Sequence, residues 1–380
     1  MGLIQNVLRL CNSFLVSLFR LLPIDRRKIL FMSYYGAQYG CNPKYISKYI
    51  SEHSKNWKIV WAFNDKTRHG DYVGKRCQYL SLNYWYHIST SRIIVTNYRM
   101  PKDFIKRKGQ FYVQTWHSML RLKKIEQDVS DYLPSQYIEM AKNDSNQIDL
   151  VLSGCDFSTN TFRNSFWYKG EILQCGSPRC DILIDNDGEM KGNIKSKLKL
   201  ANKRCLLYAP TFRQNGNNDC YNIDFHKVVT VLENSIGGEW TILIRLHPHL
   251  AHYSQSILSI CDNMVNVSEY DDVQELMMIS DVLLSDYSSL IFDYMLTLRP
   301  CFLFVPDLEE YQRKERSLYF NIKELPFPIC QNENEFFKAI EDFDFSNYRE
   351  SVLNFLSKVG SHESGDSSKK VLEYFDNHLL

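Results

Sequence analysis

Histidine titrates near neutrality and suits a general base. His117 stands in Gln114-Thr115-Trp116-His117-Ser118, directly after the apolar alternation of Phe111 and Val113. A strand there would deliver the imidazole to the loop at its end; the competing reading is a histidine with a purely structural role. Just downstream, Arg121, Lys123 and Lys124 would give the mouth of such a site a positive lining. A second histidine, His247, follows the run Trp240 to Leu246 as Arg245-Leu246-His247-Pro248, and the spacing of two throws Arg245 and His247 onto one strand face. Two such groups can grip a diphosphate, or form an ordinary salt-bridged strand end. Tyr208-Ala209-Pro210-Thr211-Phe212-Arg213 has the same layout. There the Arg213 guanidinium can reach a phosphate in fork geometry or pair with an acidic neighbour. Within Leu283 to Phe304, residues Asp286, Ser288 and Ser289 supply N-cap chemistry where a strand turns into a helix. The free N–H groups of a helix start favour a phosphate, although an isolated capped helix would read the same way. Gly176-Ser177-Pro178-Arg179-Cys180-Asp181 is a turn across which Arg179 and Asp181 are placed to pair.

Each of these groups needs a strand to aim it. Apolar runs predict strands at Ile29 to Tyr34, Trp57 to Phe63, Arg92 to Thr96, Gln110 to Thr115 and Leu150 to Ser153, with helical stretches between them. A second alternation follows with Cys205 to Ala209, Trp240 to Leu246, Val282 to Ser285 and Cys301 to Val305. Strand and helix in alternation predict parallel sheets, and the candidate residues then collect at carboxyl ends, where open α/β sheets bind ligands. The polar Asp185 to Lys191 stretch, with Gly188, is the expected linker. The division is 1–22 as an amphipathic helix, 23–190 as a first α/β domain and 191–365 as a second. A final helix over 366–380 would pack back on the first domain.

The 380 residues, 44% of them hydrophobic, are enough for two buried cores, and a net charge of +1 from 45 basic and 44 acidic side chains demands no nucleic-acid partner. Eleven cysteines, odd in number and without a CxxC pair, argue against a disulfide framework or zinc site and for a reducing compartment. Residues 3–22 place Ile4, Val7, Leu8, Cys11, Phe14, Leu15, Leu18, Phe19 and Leu22 on one stripe, with Gln5, Arg9, Asn12 and Arg20 opposite. Polar residues are too frequent there for a membrane span, no signal-type cleavage site follows, and Asn6 breaks the myristoylation pattern. A helix of this kind, followed by Arg26, Arg27 and Lys28, suits an anionic membrane surface or the protein's own core.

The ordered set QTWHS (114–118), GSPRCD (176–181), YAPTFR (208–213), RLHP (245–248), SDYSSLIFDY (285–294), RP (299–300) and DLEEYQRKERSLYF (307–320) resembles the CDP-glycerol glycerophosphotransferase family of teichoic-acid primases, polymerases and capsule enzymes. The resemblance spans roughly positions 30–375. It implies a GT-B-like fold, two Rossmann-like domains with parallel sheets facing each other across a cleft. It implies transfer of glycerol phosphate from CDP-glycerol, or a related CDP-polyol donor, to a hydroxyl of a lipid-linked polyol-phosphate or glycan acceptor, with release of CMP. No cofactor and no metal are expected. Carried over motif by motif, His117 is the base and His247 neutralises the donor diphosphate. Arg213, Arg245, Asp286, Ser288, Ser289 and Asp293 form the donor side; Ser118, Arg121, Lys123 and Lys124 form the acceptor side. Ser118 to Leu122 stands where the family usually has Gly-Thr-Pro before Leu-Lys-Lys, so the acceptor loop departs from the pattern. The expected place is the cytoplasmic face of the cell membrane, peripherally attached. A GT-B glycosyltransferase with a nucleotide-sugar donor and a non-catalytic nucleotide-binding protein at the membrane are the alternatives.

Overall fold

The computed structural model describes residues 17–65, 72–185, 187–200, 202–213, 223–246, 263–314 and 317–380. His247 lies outside the described residues, as do Pro248 and positions 1–16 of the N-terminal amphipathic stretch, of which residues 17–19 are seen as helix. The chain forms two compact units, one from Met1–His117, Ser130–Asp181 and His362–Leu380, the other from Ser118–Val129 and Ile182–Ser361.

The first unit is built on strands β1 (Asp25–Met32), β2 (Lys58–Phe63), β3 (Lys75–Gln78), β4 (Ser91–Thr96), β5 (Phe111–Gln114), β6 (Leu150–Leu152) and β7 (Glu171–Leu173). They pair in the order β3-β2-β1-β4-β5-β6-β7, all parallel. The register sets Ile29 between Ile59 and Ile93, so β-branched side chains pack in a row across the sheet. Ile46 and Ile50 of the Cys41–His53 helix join this core, as do Val371, Leu372, Phe375 and Leu379 of the C-terminal helix Ser367–Leu379. That last helix is fixed at both ends. The Asp181 carboxylate accepts the N–H groups of Ser367 (3.0 Å) and Ser368 (2.9 Å), and Trp57 Nε1 donates to Asp376 (2.8 Å).

The second unit carries β8 (Arg204–Tyr208), β9 (Trp240–Ile244), β10 (Met264–Asn266), β11 (Val282–Ser285), β12 (Cys301–Phe304) and β13 (Ile329–Cys330). Its order is β10-β9-β8-β11-β12-β13, again all parallel. Both sheets therefore wind outward in two directions from a central pair, β1/β4 and β8/β11. At such a pair the following loops leave to opposite sides and open a crevice at the carboxyl ends. Two parallel-sheet α/β units of this kind are the GT-B-like class expected from the sequence. Around 185–191 the chain is helical, in Asp181–Asp185 and Gly188–Lys197, with Asp187 accepting the N–H groups of Glu189 and Met190 as a cap; Asn186 lies outside the described residues.

Candidate active site

At the crevice of the first unit, the loop after β5 carries His117 and the loop after β4 carries Asn97 and Tyr98. Trp116 is held at φ 50°, in the left-handed region, so the chain turns sharply just before His117. Side chains fix that turn. Gln114 Oε1 accepts the Trp116 N–H (3.0 Å) while its Nε2 donates to the Tyr98 carbonyl (2.9 Å), tying the exits of β5 and β4 together. Asn42 Nδ2 donates to the carbonyls of Thr115 (3.1 Å) and Trp116 (3.2 Å), and its oxygen accepts the Arg179 N–H (3.1 Å). Arg179 Nη1 donates to the His117 carbonyl at 2.5 Å, so the turn motif of 176–181 serves to seat the histidine.

His117 Nδ1 lies 3.1 Å from the Asn97 carbonyl oxygen. A carbonyl only accepts, so Nδ1 carries the proton in the neutral ring and Nε2 presents the lone pair. That is the tautomer a general base requires. The ring is half-buried, stacked between Trp116 (4.5 Å, 27°) and Tyr98 (5.6 Å, 17°).

At the crevice of the second unit, a buried network joins the ends of β8, β11 and β12. Asp286 accepts the N–H (2.8 and 3.0 Å) and the hydroxyl (2.6 Å) of Thr211, and Arg213 Nη1 at 2.8 Å. Arg213 is 3% exposed; its Nε and Nη2 form a fork on Asp307 (2.7 and 3.3 Å). Of the two roles open to Arg213 from the sequence, the acidic pairing is therefore present. Tyr287 donates its hydroxyl to Asp307 (3.0 Å) and stacks on Tyr311 at 3.5 Å, both rings lying about 5 Å from the guanidinium, at 4.9 and 5.1 Å. Burial and the Asp307 charge push the Tyr287 phenol well above its ordinary range, which keeps it a donor.

The other expected donor-side residues lie close by. Ser289 precedes a helix of five residues, Leu290–Tyr294, and its Oγ accepts the Leu122 N–H (3.2 Å); Ser288 Oγ faces the Leu290 N–H at 3.4 Å. Asp293 is buried and accepts Gln274 Nε2 (3.1 Å) from the neighbouring Val273–Ile279 helix. Arg245 donates to the carbonyls of Val267 (3.2 Å) and Tyr270 (2.5 Å) after β10.

Ser118, Arg121, Lys123 and Lys124 belong to the Ser118–Val129 segment, which folds with the second unit although His117 folds with the first. Lys123 makes an antiparallel bridge with Leu318, the Lys124 N–H donates to the Ser317 carbonyl and the Tyr319 N–H to the Leu122 carbonyl, both at 2.8 Å. The Lys123 ammonium lies 5.4 Å from the Tyr311 ring, and Arg121 is buried. Among the described residues no group of three or more His, Cys, Asp or Glu side chains is arranged to hold a metal ion. Asn42, Asn97, Tyr98, Tyr287 and Asp307 were not singled out from the sequence. Their common signal is position one to three residues past a strand, or opposite such a residue, which becomes informative once the strand order is known.

Residues 14–376 match the family described as CDP-Glycerol:Poly(glycerophosphate) glycerophosphotransferase. The chain is 31% identical over 368 residues to a teichoic acid poly(glycerol phosphate) polymerase of Bacillus spizizenii, covering 93% of each chain. It is 30% identical over 370 residues to a teichoic acid glycerol-phosphate transferase of Staphylococcus aureus, covering 92% of each. The solved wall teichoic acid polymerase TagF superposes with a TM-score of 0.85 at 29% identity, over 99% of this chain and 95% of that one. The chain thus belongs to the CDP-glycerol:poly(glycerophosphate) glycerophosphotransferase family and is an enzyme of that type.

Proposed function

We propose that this enzyme transfers glycerol phosphate, or a related polyol phosphate, from CDP-glycerol to a hydroxyl of a lipid-linked glycan, teichoic-acid or capsule acceptor and releases CMP. The observation that carries this reading is His117, at a sheet crevice with Nδ1 on the Asn97 carbonyl and Nε2 left as the basic nitrogen. A TagF variant solved after soaking with CDPG supports the choice of donor. In this mechanism Nε2 takes the acceptor hydroxyl proton as the oxygen attacks the phosphorus that bears glycerol. The bond from that phosphorus to the oxygen bridging the two phosphates breaks, and CMP leaves with the electron pair. Such transfer is chiefly positioning and charge stabilisation. The Asp286–Arg213–Asp307 network would hold the donor-side loops in shape, Ser288 and Ser289 would offer hydroxyls to phosphate, and His247 would neutralise the diphosphate.

The enzyme would work at a membrane surface. Among the described residues no helix is long and apolar enough to cross a membrane. Leu21 is 81% and Ile105 66% exposed, and Arg20 Nη1 donates to the Ile105 carbonyl at 2.5 Å, so the two leucine-rich and loop segments are joined. Arg26, Arg27 and Lys108, near Leu21 and Ile105 in sequence, are exposed too, and cations beside exposed apolar side chains suit an anionic headgroup layer. The test of the activity is CMP release from CDP-glycerol with a lipid-linked phosphodisaccharide acceptor. Release is expected with CDP-glycerol or CDP-ribitol. Its absence with every CDP-polyol, together with thermal stabilisation by UDP rather than CDP, would replace this reading by a sugar transferase.

A further inference from the structure

Behind the His117 turn, the first unit buries an ion pair. Arg99 and Asp144 are each 2% exposed, and Arg99 Nη1 lies 3.1 Å from Asp144 Oδ2. Burial pushes the Asp144 carboxyl up to about 6, while the Arg99 charge holds it down, so the pair is ionised at neutral pH. A pair taken out of water in this way adds little net stability, because desolvation offsets most of the attraction, and apolar side chains of the same volume would fill a core as well. What such a pair supplies is fixed geometry.

Two routes lead from this pair to the imidazole. The first is polar. Asp144 Oδ1 accepts the Met100 N–H (3.2 Å) and the Tyr112 hydroxyl (3.1 Å). The Tyr112 oxygen in turn accepts Gln114 Nε2 (3.2 Å), two residues along the same face of β5. Gln114 is the side chain that holds the Trp116 N–H and the Tyr98 carbonyl. The loop whose Asn97 carbonyl faces His117 Nδ1 is thereby clamped at Tyr98, Arg99 and Met100, the three residues that follow. The second route is aromatic. The Arg99 guanidinium lies 3.6 Å from the centre of the Phe166 ring, and its Nη2 donates to the Phe166 carbonyl (3.2 Å). Its Nη1 also donates to Ser145 Oγ (2.7 Å), which donates on to the same carbonyl (2.6 Å). Phe166 meets Trp116 edge-on at 4.8 Å and 89°, and Trp116 stacks on His117.

We propose that Arg99 and Asp144 are the positioning pair of the general base: together they hold the Asn97 carbonyl at Nδ1 and the Trp116 ring on the imidazole face, and so keep the proton on Nδ1 and the lone pair on Nε2. Both residues are buried and act through His117 rather than on a substrate. The role rests on His117 being the base, as read above, and names what keeps it in the required tautomer. A pair that served only the core would leave that tautomer unchanged when Asp144 lost its charge.

The test uses the full chain and two variants. Asp144→Asn keeps the side chain's shape and sets an NH2 opposite Arg99 Nη1, where two donors cannot bond. Tyr112→Phe removes only the hydroxyl that joins Asp144 to Gln114. One readout is the initial rate of CMP release from CDP-glycerol. The other is the nitrogen chemical shifts of isotope-labelled histidines at about pH 8, above the ordinary histidine range, with His117→Gln identifying the signals. Wild type is expected to hold His117 in the Nδ1–H form. Asp144→Asn should mix the two tautomers and lower kcat about ten- to a hundredfold, the weight of a small displacement of a reacting group, with the KM for CDP-glycerol within about twofold. Tyr112→Phe should shift the tautomer the same way and lower kcat about threefold, the weight of one neutral hydrogen bond. An unchanged tautomer in folded Asp144→Asn overturns the proposal, and so does a kcat within about twofold of wild type beside a lowered Tm, which is what bracing of the core alone would give. A wild-type His117 found in the Nε2–H form overturns it as well. If Asp144→Asn does not fold, the tautomer in Tyr112→Phe decides. If wild type releases no CMP with any CDP-polyol, the transfer reading fails separately, and the tautomer in Asp144→Asn still upholds or ends the positioning role.

Discussion

Replacing Asp286 by asparagine changes one oxygen for a nitrogen at the centre of the second unit's strand-end network. The asparagine oxygen can still accept from Thr211, whose N–H and hydroxyl lie at 2.8 and 2.6 Å from Asp286 Oδ1. The new NH2 faces Arg213 Nη1, formerly 2.8 Å from Oδ2, and both groups can only donate. One charge-assisted hydrogen bond is lost, worth about 1.5 to 3 kcal/mol. Because Arg213 keeps its fork on Asp307, the cost stays below the roughly 3 to 5 kcal/mol of a fully broken buried pair. At about 2 to 4 °C per kcal/mol for a unit of this size, the calorimetric transition of the second unit should fall by roughly 3 to 12 °C. Arg213→Met should cost more, since two carboxylates, the buried Asp286 and the partly buried Asp307, then lack their cation. The double variant should be less damaging than the sum of the singles, with a coupling of about 2 kcal/mol. A shift under about 1 °C in Asp286→Asn, or strict additivity in the double variant, would refute the claim that this network braces the loops.

His117→Ala is expected to lower kcat for CMP release by about a hundredfold or more with the fold intact by circular dichroism; turnover within a few-fold of wild type removes His117 as the base. Leu21→Glu with Ile105→Glu should move the protein from the liposome to the soluble fraction in a flotation assay with anionic vesicles, and unchanged flotation rules out this patch as the contact. His87 is half-buried, and burial together with Lys28 and Lys75 lowers its pKa to about 4 from 6.5. The unfolded chain therefore binds the extra proton between those values, so this group's stabilisation is present above about pH 6.5 and is lost as pH falls towards 4. His87→Gln should flatten the fall of Tm over that window, and an unchanged slope contradicts the assignment. Gly176 lies at φ 94°, where a Cβ would come 2.3 Å from Ser367 Oγ, so Gly176→Ala should loosen the C-terminal helix and speed its removal by protease, whereas unchanged cleavage would show that the contact yields.

The interior of each sheet was legible in the residues. Strands such as Val282–Ser285 and Lys58–Phe63 are buried on both faces, and burial on both faces forces a continuous apolar run. The strands that went unread, β3, β7, β10 and β13, are the four sheet edges. They have two to four residues each, and in β3 only Cys77 of Lys75–Gln78 is buried, so no period had room to show. Site residues were legible where a strand ran straight into a polar group, as at His117 and Arg213. Their partners were not. Asp307 stands 94 residues from Arg213 and Asn97 twenty from His117, and only strand order brings them together. The passage of Ser118–Val129 into the second unit leaves no trace in hydrophobic pattern, because a segment held by backbone bonds to Ser317 and Tyr319 needs no periodicity.

The placement of the C-terminal helix has a consequence for synthesis. The first unit cannot finish its core until Val371, Phe375 and Leu379 have left the ribosome, yet the ribosome must first make the roughly 180 residues of Ile182–Ser361. At about 5 to 20 residues per second, the nascent first unit waits some 10 to 40 s with Trp57 and the Ile46 and Ile50 side of its helix uncovered. Domain-by-domain maturation from the amino end is thus closed to this chain, and a ribosome that stops early releases a protein in which the unit bearing His117 was never sealed.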